Sequence, residues 1–459
     1  MFAHHTALAL ASAGLASVLL VGCSSGTPQD TPQDQAQDEA QGTAQGTDAQ
    51  VASGENASFD TGTYRSEPHS GWPRDDAKIG QITELTKIGS ATLLPYEVDE
   101  RFSHGGAAIR QSNWDALGVG FPDVAYDALQ GLAGSFLDGF TRLGLTETGN
   151  EKAELSLLRF TDAESAQRAV TLFHETMLEQ GGKEPSGERY GLEPVDIPGQ
   201  PGALATLDPR TGTLRSAFAV DEFVLYTVTS NIGGINSDAP GDADAALPQE
   251  DWMPQFHADF LTKQTPLIAT IATHKTPEGF GKSDQWPEAD PDDLLRFAVM
   301  PADNTQKSGR MPAWANERMM AGNYSNVGER FVMFEQADIL AMAQAETLLY
   351  RTANQKQAEL LRATLAAEEA ESEREEYTDP QGVPGTTCFR EPTHGGVHYA
   401  CTLVYENYFA EAFVSEIEAA TPDVGAKPSA EETPAPDAKT QLSQMMAAQY
   451  LLLQHAPKL

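Results

Sequence analysis

The chain has 459 residues, 67 acidic against 30 basic, for a formal net charge of −37. A surface that acidic repels nucleic acid and anionic headgroups, so nucleic-acid binding is excluded and any membrane attachment must come from something other than charge. Hydrophobic content of 40% is enough for ordinary cores, and the length allows two or three domains.

The first element is an apolar run from Ala7 to Val21 that closes on Leu20-Val21-Gly22-Cys23-Ser24-Ser25. A small residue before a cysteine is the pattern of a bacterial lipoprotein signal: the thiol of Cys23 takes a diacylglyceryl group, and Gly22 lets a peptidase reach the Gly22–Cys23 bond. The run is short for the ~20 residues needed to span a bilayer, which disfavours an uncleaved anchor. No Lys or Arg precedes it, only His4 and His5. Residues 1–22 therefore read as a signal peptide. The expected location is the outer face of the cell membrane, held by acyl chains on Cys23.

Residues 23–58 are rich in Gln, Asp, Thr, Ala and Gly, with almost nothing apolar to offset ordering entropy. They read as a disordered tether, with a root-mean-square reach of roughly 30 Å for a flexible coil of this length.

Beyond the tether the sequence repeats itself. Pro201-Gly202, Pro209 and Gly212 recur as Pro384-Gly385, Pro392 and Gly395, each 183 residues later. Both sets run into β-rich sequence, Leu214 to Thr229 and Val397 to Val414, which reads as hairpins. Upstream of each, a strand ending near Arg159 or Arg351 runs into a helix. The first helix has Thr161 or Asp162 as N-cap and Ala166, Ala169, Val170 and Phe173 on its apolar face; the second has Ala358, Leu361 and Leu365. Leu93-Leu94-Pro95 resembles Val299-Met300-Pro301, and Asp259 to Ile268 resembles Gln444 to Leu453. Four matches in one order predict two homologous α+β domains, 59–272 and 293–459, joined by an acidic Pro/Gly-rich linker over 273–292. Each is expected to be an antiparallel sheet with helices packed on one face. The Ala/Glu-rich helix after Asn354 is expected to fray through Glu368 to Glu376. Few core contacts are expected to cross the linker, so that a fragment ending near residue 275 would fold alone.

Three cysteines are present, and lipidation consumes Cys23. Cys388 and Cys401 lie symmetrically about His394-Gly395, so a tight turn there places them face to face across a hairpin for a structural disulfide; free thiols or a redox pair are the alternatives. The same offset puts Ala205 and Phe218 at these positions in the first domain.

Other motifs reduce to ordinary structure. Gly279-Phe280-Gly281-Lys282-Ser283 lacks the first glycine of a phosphate loop, since Thr276 stands there. His394 and His398 are ~13 Å apart on a strand, too far to share a metal. No nucleophile elbow or acylation pair is present. Trp72, Trp114, Trp252, Trp286 and Trp314 read as core or boundary residues. No cofactor, metal ligand or catalytic residue is assigned.

Phe59-Asp60-Thr61-Gly62-Thr63-Tyr64, Leu94-Pro95-Tyr96-Glu97-Val98-Asp99 and Ala447-Ala448-Gln449-Tyr450, together with the lipoprotein signal, resemble a family of actinobacterial secreted two-domain lipoproteins of unknown function. The resemblance covers nearly the whole mature chain and implies location and architecture, with no catalytic residue to carry over. Three functions compete. One is a non-catalytic lipoprotein binding a ligand or envelope partner, the first choice. The others are a lipid or glycolipid carrier with an apolar cavity, and a hydrolase whose site is assembled from distant residues.

Overall fold

The computed structural model describes residues 58–105, 108–114, 129–183, 186–232, 251–271, 286–300, 312–369, 374–393, 396–417 and 437–458. The signal segment, the tether up to residue 57, the linker up to residue 285, the Gly279–Ser283 motif and the His394-Gly395 turn lie outside them.

In the first half α1 (Ala77–Ala91) starts at Asp76, whose carboxylate accepts the backbone N–H groups of Lys78 and Ile79. The short helix α2 (Pro95–Val98) follows, and then β1 (His104–Gly105), β2 (Ile109–Gln111), β3 (Phe136–Leu145) and β4 (Glu151–Phe160). Helix α3 (Ala163–Gln180) is N-capped by Asp162 through the Ser165 N–H and stops at Gly181, whose φ of 63° ends it without strain. A small hairpin, β5 (Gly182–Lys183) and β6 (Arg189–Tyr190), leads to β7 (Glu193–Val195), β8 (Leu204–Leu207), β9 (Leu214–Val220), β10 (Phe223–Asn231) and α4 (Trp252–Ile268).

The second half runs through β11 (Ala313–Ala315), α5 (Glu317–Ala321), α6 (Val327–Gln336), β12 (Ile339–Gln344), β13 (Leu348–Thr352) and α7 (Gln355–Glu369). It continues with β14 (Glu375–Tyr377), β15 (Thr386–Thr393), β16 (Gly396–Tyr405), β17 (Tyr408–Ile417) and α8 (Ala438–Gln454). Glu375 and Glu376, expected at the frayed end of a helix, instead form with Tyr377 an edge strand against β15.

Each half is one antiparallel sheet, and their strand orders correspond: β3-β4-β10-β9-β8-β7 against β12-β13-β17-β16-β15-β14. The correspondence extends to register. Leu157 faces Leu225 and Leu349 faces Ala410; Leu214 faces Thr229 and Tyr399 faces Val414. The matching β-turns carry Asp221 and Glu406 at φ of 49° and 51°. The matched strand–helix, hairpin and terminal-helix segments thus adopt the same structure in the same order where they are described, and among the described residues no sheet runs across both halves.

Two expectations are corrected. The sheets are covered on both faces, because strands such as β4 bury alternate residues in opposite directions: Leu155 and Leu157 on one side, Leu158 and Phe160 on the other. Helix α3 covers one face of the first sheet, and α1 and α4 cover the other. The register also makes Ser216, not Phe218, the counterpart of Cys401, since Ala205 pairs with Ser216 and Cys388 with Cys401. Eight residues lie between Arg390 and its partner Tyr399, against six between the equivalent pair Leu207 and Leu214, which moves the offset from 183 to 185.

The expectation of few core contacts between halves is corrected as well. One hydrophobic cluster joins Ile88, Leu94, Phe102 and Phe140 to Met319, Phe331, Phe334 and Tyr350. Helix α1 packs on β11 and α5. At Gly89 a Cβ would lie 2.7 Å from Met319 Sδ and from the Phe140 ring, so only glycine permits that approach. The segment after the tether crosses over too: Asp60 accepts from Gln444 Nε2 at 2.8 Å, Gln441 Nε2 donates to Tyr64 Oη at 3.0 Å, and Phe59 meets Tyr450 edge-on.

Candidate functional site

The junction is built from the two motifs nearest it. Pro95 at the first position of α2 fixes its φ, and Glu97 accepts the Leu94 N–H at 2.9 Å. The same carboxylate takes a two-pronged contact from Arg318 of α5, Nε and Nη2 both at 2.7 Å. Asn316 Nδ2 donates to Ser90 O at 2.9 Å, while the Gly105 and Gly328 N–H groups donate to Ser325 and Ser103 carbonyls across the junction. Arg142, fully buried, donates to Gly89 O and Thr92 O and so satisfies the carbonyls at the end of α1; burial pushes its guanidinium down to about 9.

Beside this junction opens a cleft of about 770 Å³. The first half contributes Tyr96, Glu100 and Ser103; the second contributes α6, α7, Ala337 and Asp338 ahead of β12, and Thr352 at the end of β13. Both helices offer residues at i, i+3, i+4 and i+7: Glu329, Val332, Met333 and Gln336 from α6, and Gln357, Leu360, Leu361 and Thr364 from α7. That spacing places each quartet on one helix face. The centre is apolar and the ends are polar. Leu360 is 57% exposed, the highest value among the exposed large hydrophobic side chains of the described residues. Glu100, Glu329 and Asp338 stand on the rim, all exposed; Glu329 accepts from Asn326 Nδ2 at 3.0 Å and Asp338 from Gln357 Nε2 at 3.1 Å.

The residues singled out from sequence fall elsewhere. Cys388 and Cys401 are joined by a disulfide across β15 and β16, with Cα atoms 4.1 Å apart and both side chains fully buried. They contribute to a core, not to the cleft. Gly22, Cys23 and His394 lie outside the described residues, and His398 contacts Ser415 at the sheet surface. Trp114 and Trp286 are buried and Trp72, Trp252 and Trp314 partly so. Arg159 pairs with Glu84 of α1, both side chains under 5% exposed.

Sequence reading assigned none of the cleft residues to a site; it named Leu361 only as core-facing and Tyr96 only within a family-like motif. The i, i+3, i+4, i+7 pattern in 329–336 and 357–364 was available as a signal, but it separates a groove from a core only once the neighbours are known. It also passed over His257, which is fully buried between Ser216 Oγ at 2.6 Å and Thr229 Oγ1 at 3.0 Å. Burial pushes this imidazole down to about 3. A serine beside a histidine invites a hydrolytic reading. Here the second ring nitrogen meets a threonine hydroxyl instead of a carboxylate, and no face of the trio reaches the surface.

The models of the domain of unknown function DUF7373 match this chain twice, the N-terminal one over residues 72–278 and the C-terminal one over 294–427. The chain belongs to the DUF7373 family. The interval between the two DUF7373 matches overlaps the stretch read as a linker. No curated protein matches the sequence. Among solved structures, the extracellular domain of PknH from Mycobacterium tuberculosis is similar at 12% identity and a TM-score of 0.26, over 43% of this chain and 99% of that one. Among the described residues no helix is long and apolar enough to cross a membrane.

Proposed function

We propose that this DUF7373 protein is a cell-envelope lipoprotein that is cleaved before Cys23, acylated on it, and binds a ligand or partner without catalysis. The signal pattern and the polar tether support the anchoring. The observation that carries the binding role is the cleft, a concave site completed only when both halves are present and lined by two helix faces. Its volume is that of a ligand site, and its lining combines an apolar centre with acidic ends. That mixture favours binding over the lipid-carrier reading, which calls for a dry apolar cavity. Against the hydrolase reading, the Ser216–His257 pair is closed to solvent, and the Ser103–His104 and Ser415–His398 pairs use neighbouring or cross-strand positions of a sheet surface.

Native mass spectrometry of the processed chain taken from the envelope tests this. A bound species released by substitutions in the cleft supports the reading. A species retained when Leu360 and Met333 are replaced by charged residues contradicts it.

A further inference from the structure

The cleft is a groove between two helices, and its chemistry specifies what fits. Resting on the reading of this groove as the binding site, we infer that it takes an amphipathic, lysine- or arginine-bearing helix of a partner protein. Val332, Met333, Leu360 and Leu361 form a continuous apolar floor, and a methionine there adapts its shape to an incoming side chain. Helices dock on such floors through residues at i, i+3, i+4 and i+7. The spacing matches the two quartets that α6 and α7 already present.

Charge sets the flanks. No Lys, Arg or His lines the groove among the described residues, while Glu329 stands in the first turn of α6 and Asp338 just beyond its last. They stand nine residues apart, roughly 13.5 Å at the 1.5 Å rise of a helix. Lysines seven or eight residues apart on a docked helix lie roughly 11–12 Å apart along its axis, within side-chain reach of both carboxylates. A single small cation meets one carboxylate and leaves the floor uncovered; a helix with flanking cations meets both and covers Leu360. Exposed rim charges of this kind steer association and weaken with salt.

The test is a fluorescence-anisotropy titration of the processed full-length chain. The probe is a synthetic helix with leucines on one face and two lysines seven residues apart, and a scrambled peptide of equal composition is the control. Leu360→Glu should weaken the probe about tenfold or more, because its exposed side chain is at the floor and not in the core. Glu329→Lys with Asp338→Lys should weaken it as well, and should tighten a version of the probe carrying glutamates in place of the lysines. Unchanged circular dichroism keeps these variants interpretable. Equal binding of the scrambled peptide, or no change with Leu360→Glu, overturns the inference. Full displacement of the probe by spermine also overturns it, by showing a site for small polycations, while leaving the cleft as a binding site. If neither the peptides nor spermine bind and an envelope-derived ligand still does so in the cleft, the helix is excluded and the binding role stands.

Discussion

Gln264 and Gln449 make the same brace in the two halves. Gln264, fully buried on α4, accepts the Leu93 N–H at 2.9 Å and donates to Ala91 O at 2.8 Å. Gln449, fully buried on α8, donates to Phe297 O at 2.8 Å and accepts the Thr347 hydroxyl at 2.7 Å; that hydroxyl accepts the Val299 N–H. Ala91 and Leu93 stand 206 residues before Phe297 and Val299, so the two glutamines hold equivalent stretches of chain. A buried amide is retained because extended backbone crosses the core there with its polar groups otherwise unpaired. Gln264→Leu should therefore cost about 2–3 kcal/mol through the orphaned Leu93 and Ala91 groups. A urea midpoint shift with unchanged slope checks it.

The trio Ser216–His257–Thr229 has an apolar counterpart in the second half: strand register places Cys401 and Val414 there, and the 185-residue offset that relates Gln264 to Gln449 places Leu442. His257 has its folded pKa depressed to about 3. Below the unfolded value of about 6.5 the unfolded chain takes up a proton that the native one refuses. Stability should be fully present above about pH 6.5 and fall by about 1.4 kcal/mol per pH unit towards pH 3. The triple variant Ser216→Ala, Thr229→Val and His257→Leu should lose that slope between pH 6 and 4. Denaturation midpoints across the range decide; an unchanged slope assigns the acid lability elsewhere.

Cys388 and Cys401 close a loop of about 14 residues, for which the chain-entropy model gives roughly 3 kcal/mol of stabilisation. Non-reducing peptide mapping of the native protein should recover the two cysteines in one linked fragment. Recovery of two alkylatable thiols would contradict the bond.

Cys23→Ala should release the processed protein from membranes, because acylation of Cys23 is the proposed anchor. Detergent partitioning measures this, and an unchanged membrane fraction of mature-sized protein would defeat the lipoprotein assignment.

Much of the architecture was legible in the chain. Asp162 as a helix cap, the turns near Pro209 and Pro392, and the pairing of Cys388 with Cys401 follow from local chemistry, which spacing records. Phe218 was misassigned because loop length is not fixed by the flanking strands: a two-residue difference shifts the partner while leaving the turn motif intact. The junction was not legible at all. Glu97 and Arg318 are far apart in sequence, and nothing local marks Gly89 as the place where α1 meets α5. The family-like motifs are structural braces: Asp60 and Tyr64 hold the strap to α8, Glu97 holds α5, and Gln449 holds Phe297. The cleft lies beside those braces on residues whose helical spacing looks like any amphipathic surface.

The central claim is that the two halves are one body, with a shared core and a site completed by both. Differential scanning calorimetry of the processed chain tests it most directly. The account predicts one cooperative transition, with calorimetric and van't Hoff enthalpies in agreement. Glu97→Gln should lower the midpoint of that single transition, because Arg318 then stays part-buried without its carboxylate. Two separable transitions, only one of them moved by Glu97→Gln, would show halves that fold independently and would contradict the account.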